Sequence, residues 1–477
     1  MSNPEFLVFV KRDCPTCALV APLLADLQGG GAALKVWCQD DPAFPPSVDD
    51  VGNDLDLEHS WRYAVETVPT VIRLAQGEEQ ERTVGWDKAE WRRLFGSQAL
   101  AADLPDFRPG CGSMSVAPGM AETLALRFGD IALASRRVDI GELEDPMEAC
   151  FERGWSDGLP LVPPTELRVV RMLAGTERAP EEVLGLVPPD LQPCTVEKVA
   201  INAVMAGCKP EYLPVVIAAV EAALMDEFCM HGLLATTWFS GPMVVVNGPV
   251  ARAIGMNSGG NALGQGNRAN ATIGRALQLV IRNVGGGRPG GVDRSTLGNP
   301  GKYTFCFAED EEGSPWESLA VQRGFDEGQS TVTLFAADGV QGMADQKSRD
   351  PDSLCRSFAA SLLAVGHSKF AFMSDAFVVV SPEHQNVFSE ASWSKQQVIE
   401  RLIELTTRPG KDLMPGVDGI AEGMPEFVKD MDLPKFKPDG LNIVCAGGQA
   451  GLFSAIIGGW LASGDFGSAP VTREILQ

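Results

Sequence analysis

Over the first hundred residues, the spacing of apolar and polar positions changes between that typical of strands and that typical of helices. A short apolar run over residues 5–10 predicts a strand. It is followed by the Cys14–Cys17 stretch, Cys-Pro-Thr-Cys, and then by the helical spacing of residues 18–27. Residues 67–77 predict a second strand, closed by a glycine, and residues 84–95 predict an amphipathic helix. The pattern therefore places a CxxC pair between a strand and a helix of a small α/β domain.

Beyond residue 118 the chain again alternates helical and strand patterns. Several β-branched runs end in Gly or Pro, so the fold class of this larger part is also α/β. Residues 244–255 and 378–389 share the order strand, proline, helix, which indicates two related subdomains. After the apolar run at 441–446, a glycine turn is expected to lead into a helix that carries Ser454. The predicted helices are 196–208, 212–225 and 272–284, and the predicted strands begin at 243, 331, 376 and 441.

The order strand, CxxC, helix, Val-Pro-Thr, strand and helix resembles the thioredoxin fold over residues 1–97. The resemblance implies that Pro69 is the cis-proline that faces the dithiol. A helix N-terminus lowers the pKa of the first cysteine, so Cys14 is predicted to be the attacking thiol and Cys17 the resolving one. A structural metal clip or an inert pair is the alternative for the same two residues.

Residues 98–118 have the composition of a loop and predict a linker. Cys111 lies in this polar, glycine-flanked segment, between two predicted domains. A thiol that shuttles between two sites needs such a position, so Cys111 is a candidate redox cysteine. An ordinary linker is the alternative. The domains predicted from sequence are thus 1–97, the linker 98–118, and an α/β domain over 119–477.

Composition narrows the class of protein. The 477 residues are 45% hydrophobic and 21% charged, which is typical of a globular chain rather than a disordered or fibrous one. Thirty-nine basic against 63 acidic residues give a net charge of −24, which disfavours nucleic acid and anionic membranes as partners. No membrane-spanning or signal-like stretch is found, and eleven cysteines, an odd number, do not suit a secreted disulfide framework. We therefore expect a cytoplasmic protein.

One window departs from this acidic balance. Residues 251–302 hold seven basic residues and one acidic residue, a net charge of +6. The window contains the glycine–asparagine loop, residues 255–275, which leads into a helix. Such a loop brings backbone N–H groups, amides and guanidinium donors close to a carboxylate or phosphate. A glycine-rich turn with its arginines paired to distant acids is the alternative. The candidate substrate-binding residues are Asn257, Gly259, Gly260, Asn261, Asn267, Arg268, Asn270 and Arg275.

Further candidates for chemistry lie outside the loop. Cys208 precedes Lys209, which would favour a thiolate. His231 lies beside small and hydroxyl residues and is a candidate general acid or base. His384 opens a predicted helix after a strand, either exposed or lining a site. The spacing of Cys and His predicts no metal site, no cofactor is evident, and the GxSxG signature of a serine hydrolase is missing from the sequence.

Long stretches of the larger part resemble the UGSC-type, selenoprotein-related family. The resemblance covers roughly residues 110–477 and is carried by residues 152–166, 197–216, 257–276, 295–317 and 378–388. It implies redox thiol chemistry without naming a substrate. The nearest match to the namesake motif is Cys111-Gly112-Ser113-Met114, in which Met114 replaces the second thiol. The resemblance therefore implies that resolution falls to Cys14 or Cys17.

Together these observations predict a thiol-dependent oxidoreductase that acts on a small anionic or electrophilic substrate. Cys111 or Cys208 would react, and the CxxC pair would regenerate that thiol by disulfide exchange with an external reductant. One alternative is a non-redox lyase or hydrolase that uses His231, with the thioredoxin-like domain as an accessory. Another is a thiol-based metal or metalloid carrier. A homo-oligomer is compatible with the sequence, which does not decide the oligomeric state.

Overall fold

The computed structural model describes residues 5–129, 132–460 and 467–476 of a mixed α/β protein. The predicted α/β class is confirmed. The chain divides into two compact units, Met1–Ala132 and Leu133–Gln477. The sequence analysis placed this boundary at residues 118 and 119, but a further helix, Met120–Phe128, packs on the first unit, where the ring of Phe128 contacts that of Trp61.

The smaller unit is built on one five-stranded sheet with the order β3-β2-β1-β5-β6. Strand β1 runs parallel to β2 and antiparallel to β5, and β5 runs antiparallel to β6. The strands are β1 (Glu5–Val10), β2 (Ala33–Cys38), β3 (Gly52–Asn53), β4 (Thr67–Val68), β5 (Thr70–Ala75), β6 (Glu78–Val84), β7 (Trp86–Asp87), β8 (Phe107–Arg108) and β9 (Cys111–Gly112). The helices are α1 (Pro15–Gly29), α2 (Glu58–Arg62), α3 (Lys88–Phe95) and α4 (Met120–Phe128).

Burial explains why β1 lies at the centre of this sheet. Every residue of β1 after Glu5 is buried, which suits an apolar strand that pairs on both edges. Helix α3 packs through Trp91 against Trp86, and both indoles lie in the same hydrophobic core as β1. Asp87 is the N-cap of helix α3, and its carboxylate accepts the amide N–H groups of Ala89 and Glu90.

The segment predicted to be a linker, 98–118, forms strands with the smaller unit. Strand β8 pairs with β7, and β9 pairs antiparallel with β4. Because β4 immediately precedes Pro69, this pairing brings the segment beside the proline turn. The segment is therefore part of the folded smaller unit.

The larger unit contains a seven-stranded sheet with the path β13-β12-β14-β19-β15-β18, to which β20 adds beside β14. Its strands are β10 (Val183–Val187), β11 (Gln192–Thr195), β12 (Gly241–Asn247), β13 (Cys306–Ala308), β14 (Thr331–Ala344), β15 (Ser374–Val380), β16 (Arg408–Pro409), β17 (Asp432–Leu433), β18 (Phe436–Cys445), β19 (Phe453–Gly459) and β20 (Val471–Glu474). Its helices are α5 (Pro146–Glu152), α6 (Glu166–Leu173), α7 (Val196–Ala206), α8 (Leu213–Ala223), α9 (Met230–Ala235), α10 (Pro249–Ala253), α11 (Arg268–Asn283), α12 (Leu319–Gln322), α13 (Pro351–Leu363), α14 (Pro382–Glu390) and α15 (Lys395–Thr406).

This sheet has a hydrophobic core of its own. Side chains from β12, β13, β14, β15, β18 and β19 meet in one apolar cluster that includes Phe307, Phe335 and Phe377. Ala262 and Leu263 of the glycine–asparagine loop pack against the same cluster. A second cluster joins the other face of the sheet to α13, α14 and α15. Inward and outward side chains alternate along the strands, so both faces are covered.

Two sets of three strands repeat the same plan within this sheet. In the first set β12 lies between parallel β13 and antiparallel β14, and in the second β15 lies between parallel β18 and antiparallel β19. In each set the central strand leads through a proline into a helix, α10 or α14. The interpretation as two related subdomains stays a prediction.

The predicted helices of the larger unit are present as α7, α8 and α11, and the four predicted strands as β12, β14, β15 and β18. The prediction of a helix that carries Ser454 is wrong, because residues 453–459 form strand β19 between β14 and β15. Small residues such as Gly458 and Gly459 fit where side chains of neighbouring strands crowd the backbone. In the described parts of the chain, no helix combines the length and apolarity needed to cross a bilayer.

Candidate functional site

Cys14 lies at the start of α1, in the position that caps the helix. Its backbone is extended, and the amide N–H of Cys17 donates to the Cys14 sulfur at 3.4 Å. Pro15, at the first helical position, has no N–H group and therefore leaves no donor unpaired there. The unpaired N–H groups of the first turn and the helix dipole both favour negative charge here. The structure thus gives Cys14 the local setting predicted for the attacking thiol.

Strand β9 brings a third cysteine to the dithiol. Cys111 pairs in register with Val68, and the peptide bond between Val68 and Pro69 is cis. The Cys14 thiol donates to the Val68 carbonyl oxygen at 3.5 Å, and Cys111 lies close enough to Cys14 for each thiol to shift the pKa of the other. The structure thus groups Cys14, Cys17 and Cys111, which we call the three-thiol site.

Hydrogen bonds fasten the Cys111 segment on both sides. The Thr16 hydroxyl donates to the Pro109 carbonyl at 2.6 Å, and the Lys11 ammonium donates to the Gly112 carbonyl at 2.9 Å. Further along, the Ser113 amide donates to the Glu66 carbonyl at 2.9 Å. The sequence predicts a loop-like linker here, and these contacts show that the segment is anchored to the smaller unit.

The three thiols differ in acidity. Burial raises the pKa of Cys14, but hydrogen bonds from the Cys111 thiol and the Cys17 amide outweigh burial and hold this pKa below its ordinary value. Burial raises the pKa of Cys17 far above its usual range. The hydrogen bond to Cys14, followed by burial, raises the pKa of Cys111. Of the three thiols, Cys14 is therefore the one whose thiolate is favoured, with the Cys111 thiol as its hydrogen-bond donor.

The thiols also differ in exposure. Cys14 and Cys17 are buried, with 1% and 0% of their surfaces exposed, whereas Cys111 is half-buried. Cys111 is therefore the sulfur of this site that an external molecule reaches first.

The loop before Cys14 is held by a carboxylate. Asp40 accepts the backbone N–H groups of Arg12 at 2.6 Å and Asp13 at 2.9 Å. Burial raises the pKa of Asp40, and these two N–H groups outweigh it, so that the pKa lies below its ordinary value. This contact fixes where the chain turns into the CxxC stretch.

The asparagines of the glycine–asparagine loop bind the loop itself. The Asn257 side chain accepts the Gly259 amide and donates to the Gly260 carbonyl, each at 3.0 Å. Asn261 donates to the Gln265 carbonyl, and Asn270 donates to the carbonyls of Asn257 and Ala262. Asn267 caps α11 and donates to the Gly255 carbonyl. These side chains were predicted to hold a substrate; in the structure their hydrogen bonds shape the turn, and the substrate-binding role stays a prediction.

The two candidate arginines of this region have different surroundings. Arg275 forms a bidentate pair with Asp157, both bonds 2.8 Å long, and also donates to the Leu159 and Pro160 carbonyls. Its guanidinium is thus committed to the protein, as the alternative interpretation expected. Arg268 is exposed and donates to the Gly207 carbonyl at 2.9 Å.

Cys208 does not have the acidity expected from its neighbour Lys209. Its thiol is buried and donates to the Thr272 carbonyl, and burial raises the pKa of Cys208 to about 12. The Lys209 ammonium pairs with Glu211. Burial therefore corrects the expectation of a Cys208 thiolate.

His231 lies exposed on the short helix α9, whereas Cys208 is buried. Neither residue lines the cavity of about 660 Å³ or that of about 420 Å³ in the larger unit. The structure therefore does not join them in one enclosed site of the larger unit.

The larger unit holds a cavity of about 660 Å³ that the sequence analysis missed. It lies between the extended segment 133–140 and helices α6, α7 and α11. Basic side chains, among them Arg136, Lys198 and Arg288, line it together with the acidic side chains of Asp139, Glu166 and Glu197 and the indole of Trp155. Its residues come from five separate stretches of chain, of which only the last, residues 283–288, lies in the basic window of the sequence.

Among the described residues, no group of three or more His, Cys, Asp or Glu side chains is placed to hold a metal ion.

Comparison with known proteins yields similarity for a part of the chain. No family model and no curated protein matches it. Solved structures of thioredoxin folds match 20% of this chain. Thioredoxin O2 from Arabidopsis thaliana is 20% identical, matched over 74% of its chain, with a TM-score of 0.16. StoA from Bacillus subtilis is 18% identical over 83% of its chain, TM-score 0.16, and thioredoxin NaTrxh from Nicotiana alata is 23% identical over 71%, TM-score 0.15. The resemblance to the UGSC-type family stays a prediction.

Proposed function

We propose that the protein is a thiol-dependent oxidoreductase in which the Cys14–Cys17 dithiol reduces an oxidised Cys111 of the same chain. The observation that carries this proposal is the pairing of β9 with β4, which sets Cys111 beside Cys14, the thiol whose pKa is lowered. A strand that adds to an exposed backbone edge is a common way to present a peptide to a protein. Here the presented peptide is part of the chain itself.

The division of labour follows from exposure and acidity. The half-buried Cys111 meets a substrate disulfide, loses its proton and attacks one sulfur, forming a mixed disulfide and releasing the other substrate sulfur as a thiolate. The buried Cys14 thiolate then attacks the Cys111 sulfur and releases the second substrate thiolate. Cys17 loses its proton and attacks Cys14, which leaves a Cys14–Cys17 disulfide and a reduced Cys111. An external dithiol returns the two electrons and the two protons.

The proposal sets Cys208 aside as the reacting thiol, because its buried side chain has a high pKa. The larger unit remains the proposed place for a small anionic substrate. The cavity beside Arg136, Lys198 and Arg288 supports this assignment better than the glycine–asparagine loop, whose polar groups are already paired.

The test is to trap the intermediate between Cys14 and Cys111. The full-length Cys17→Ser variant, treated with one equivalent of oxidised glutathione, should accumulate a Cys14–Cys111 disulfide. Peptide mapping by mass spectrometry without reduction detects this crosslink. The Cys14→Ser variant should stop at a glutathione adduct on Cys111.

Cys229→Ala is the matched control, because Cys229 is another half-buried cysteine that lies outside the three-thiol site. It should behave as the unmodified protein. The proposal is overturned if the Cys17→Ser variant forms only a disulfide between Cys14 and glutathione, and if the Cys111→Ala variant reduces oxidised glutathione at the rate of the unmodified protein.

A further inference from the structure

A second cavity of the larger unit, of about 420 Å³, lies where two glycine turns meet. One wall is the glycine–asparagine loop, and the opposite wall is the turn at 446–450, after β18. The turns touch: a Cβ added to Gly448 would lie 3.3 Å from the Gly260 Cα. Glycine on both sides thus allows this close approach.

A serine and a histidine meet at the wall of this cavity. Ser454 lines the cavity, and its hydroxyl lies 2.7 Å from Nδ1 of the buried His384. The backbone N–H of Ser381 donates to the same hydroxyl oxygen at 3.2 Å. The hydroxyl proton therefore points to the histidine, while the Ser381 amide supports negative charge on the oxygen.

A third group sets the histidine tautomer. His384 Nε2 lies 3.0 Å from the Asp345 carbonyl oxygen, and since a carbonyl only accepts, Nε2 carries the proton and Nδ1 is free to accept. The Asp345 carboxylate is itself fixed by the hydroxyls of Ser348 and Ser357. A nucleophile, a base and a group that orients the base are thus aligned.

The cavity also offers donors for a developing negative charge. Among the described residues, the amide N–H groups of Gly448 and Ala450 have no protein acceptor, and both residues line the cavity. Backbone N–H groups in such a turn stabilise the oxyanion of an acyl-transfer intermediate.

The lining selects the kind of substrate. It has no charged side chain within the described residues, and Val340, Val379 and Phe453 supply apolar surface. A small, uncharged acyl group suits this surface and this volume.

We propose that Ser454 and His384 form a nucleophilic site that hydrolyses small, uncharged carboxylic esters. The Ser454 oxygen attacks the ester carbonyl while His384 takes the hydroxyl proton. The alcohol leaves with that proton, and an acyl group remains on Ser454. Water, activated by His384, then releases the carboxylic acid and restores the serine. No electrons are exchanged, so this activity is independent of the three-thiol site.

The test uses the reduced full-length protein with two probes. It should hydrolyse p-nitrophenyl butyrate, and a fluorophosphonate probe should modify Ser454, as mapped by mass spectrometry. Ser454→Ala should lower hydrolysis by about a hundredfold or more, as removal of a catalytic nucleophile does, and should abolish labelling at this position.

Ser374→Ala is the matched control, because Ser374 is a buried serine on the neighbouring strand β15 that does not line the cavity. It should keep both hydrolysis and labelling. Labelling of other residues only, or equal hydrolysis by Ser454→Ala and the unmodified protein, would overturn the proposal. Trapping of the Cys14–Cys111 disulfide is scored separately, so either proposal can fail alone.

Discussion

Cys14 and Cys208 lie at opposite ends of their helices, and the difference shows what makes a cysteine reactive here. Cys14 precedes α1, receives hydrogen bonds from Cys17 and Cys111, and has a lowered pKa. Cys208 follows the C-terminal end of α7, is buried, and has a pKa raised to about 12. The helix dipole favours a thiolate at the first position and disfavours it at the second. A nearby lysine in the sequence does not outweigh burial.

The comparison extends to the other polar groups. In the three-thiol site, donors converge on a sulfur that can react. In the glycine–asparagine loop, amides and Arg275 are bonded to the protein. Hydrogen-bond donors thus favour a thiolate in the three-thiol site and shape a turn in the glycine–asparagine loop.

The largest expected effect is a difference in alkylation rate between Cys14 and Cys208. With reduced, native protein at pH 7, iodoacetamide should modify Cys14 faster than Cys208, since the thiolate is the reactive form and a pKa near 12 leaves almost no Cys208 thiolate. Quantitative peptide mass spectrometry measures both rates. In urea the two rates should converge, and equal rates in the native protein would contradict the comparison.

The next effect concerns the donor to Cys14. Cys111→Ala removes a hydrogen bond to the Cys14 sulfur, so the pKa of Cys14 should rise and its alkylation at pH 6 to 7 should slow. Cys111→Ser keeps a donor and should change less. The pH profile of Cys14 alkylation is the measurement, with Cys229→Ala as the control. An unchanged profile in Cys111→Ala would remove Cys111 from this role.

These two cases also show how far sequence reasoning reached. The CxxC pair, Pro69 and the strand and helix around them are local patterns, so they were predicted. The meeting of Cys111 with Cys14 depends on β4 pairing with β9, and such a register between distant segments leaves no local pattern. The Ser454–His384 pair was missed for the same reason, and the histidine after a buried strand was its only signal.

A third prediction concerns Arg275. Arg275→Ala leaves the half-buried Asp157 without its partner and should lower the free energy of unfolding by about 2–3 kcal/mol, whereas exposed Arg268→Ala should cost less than about 1 kcal/mol. Urea denaturation of the full chain compares them. Similar costs would indicate that Arg275 is not structural.

The same pair predicts a pH dependence. Burial raises the pKa of Asp157 and the contacts with Arg275 lower it by more, so the net shift is downward. Stability from a lowered carboxyl pKa is present above the unfolded value, near pH 4, and is lost as the pH falls through the folded value. The stability gap between the unmodified protein and Arg275→Ala should therefore narrow below about pH 4.

The smallest effect is expected at Asn267. This residue caps α11 by accepting the Asn270 amide at 3.0 Å, so Asn267→Ala should cost about 1 kcal/mol of unfolding free energy. Asn267→Asp, which keeps the acceptor, should retain most of the stability. If both variants unfold at the same denaturant concentration as the unmodified protein, the amide has a role other than shaping the loop.

The pairing of β9 with β4 also orders events during synthesis. Thr16 and Pro109, which share a hydrogen bond, are 93 residues apart along the chain. At ordinary translation rates roughly 5 to 20 seconds separate their appearance at the ribosome. During that interval the nascent chain carries the CxxC pair without the segment that covers it. Cys14 and Cys17 are therefore exposed to solvent and to other thiols before that segment is made. Each new molecule thus begins with an open dithiol and closes it with its own later sequence.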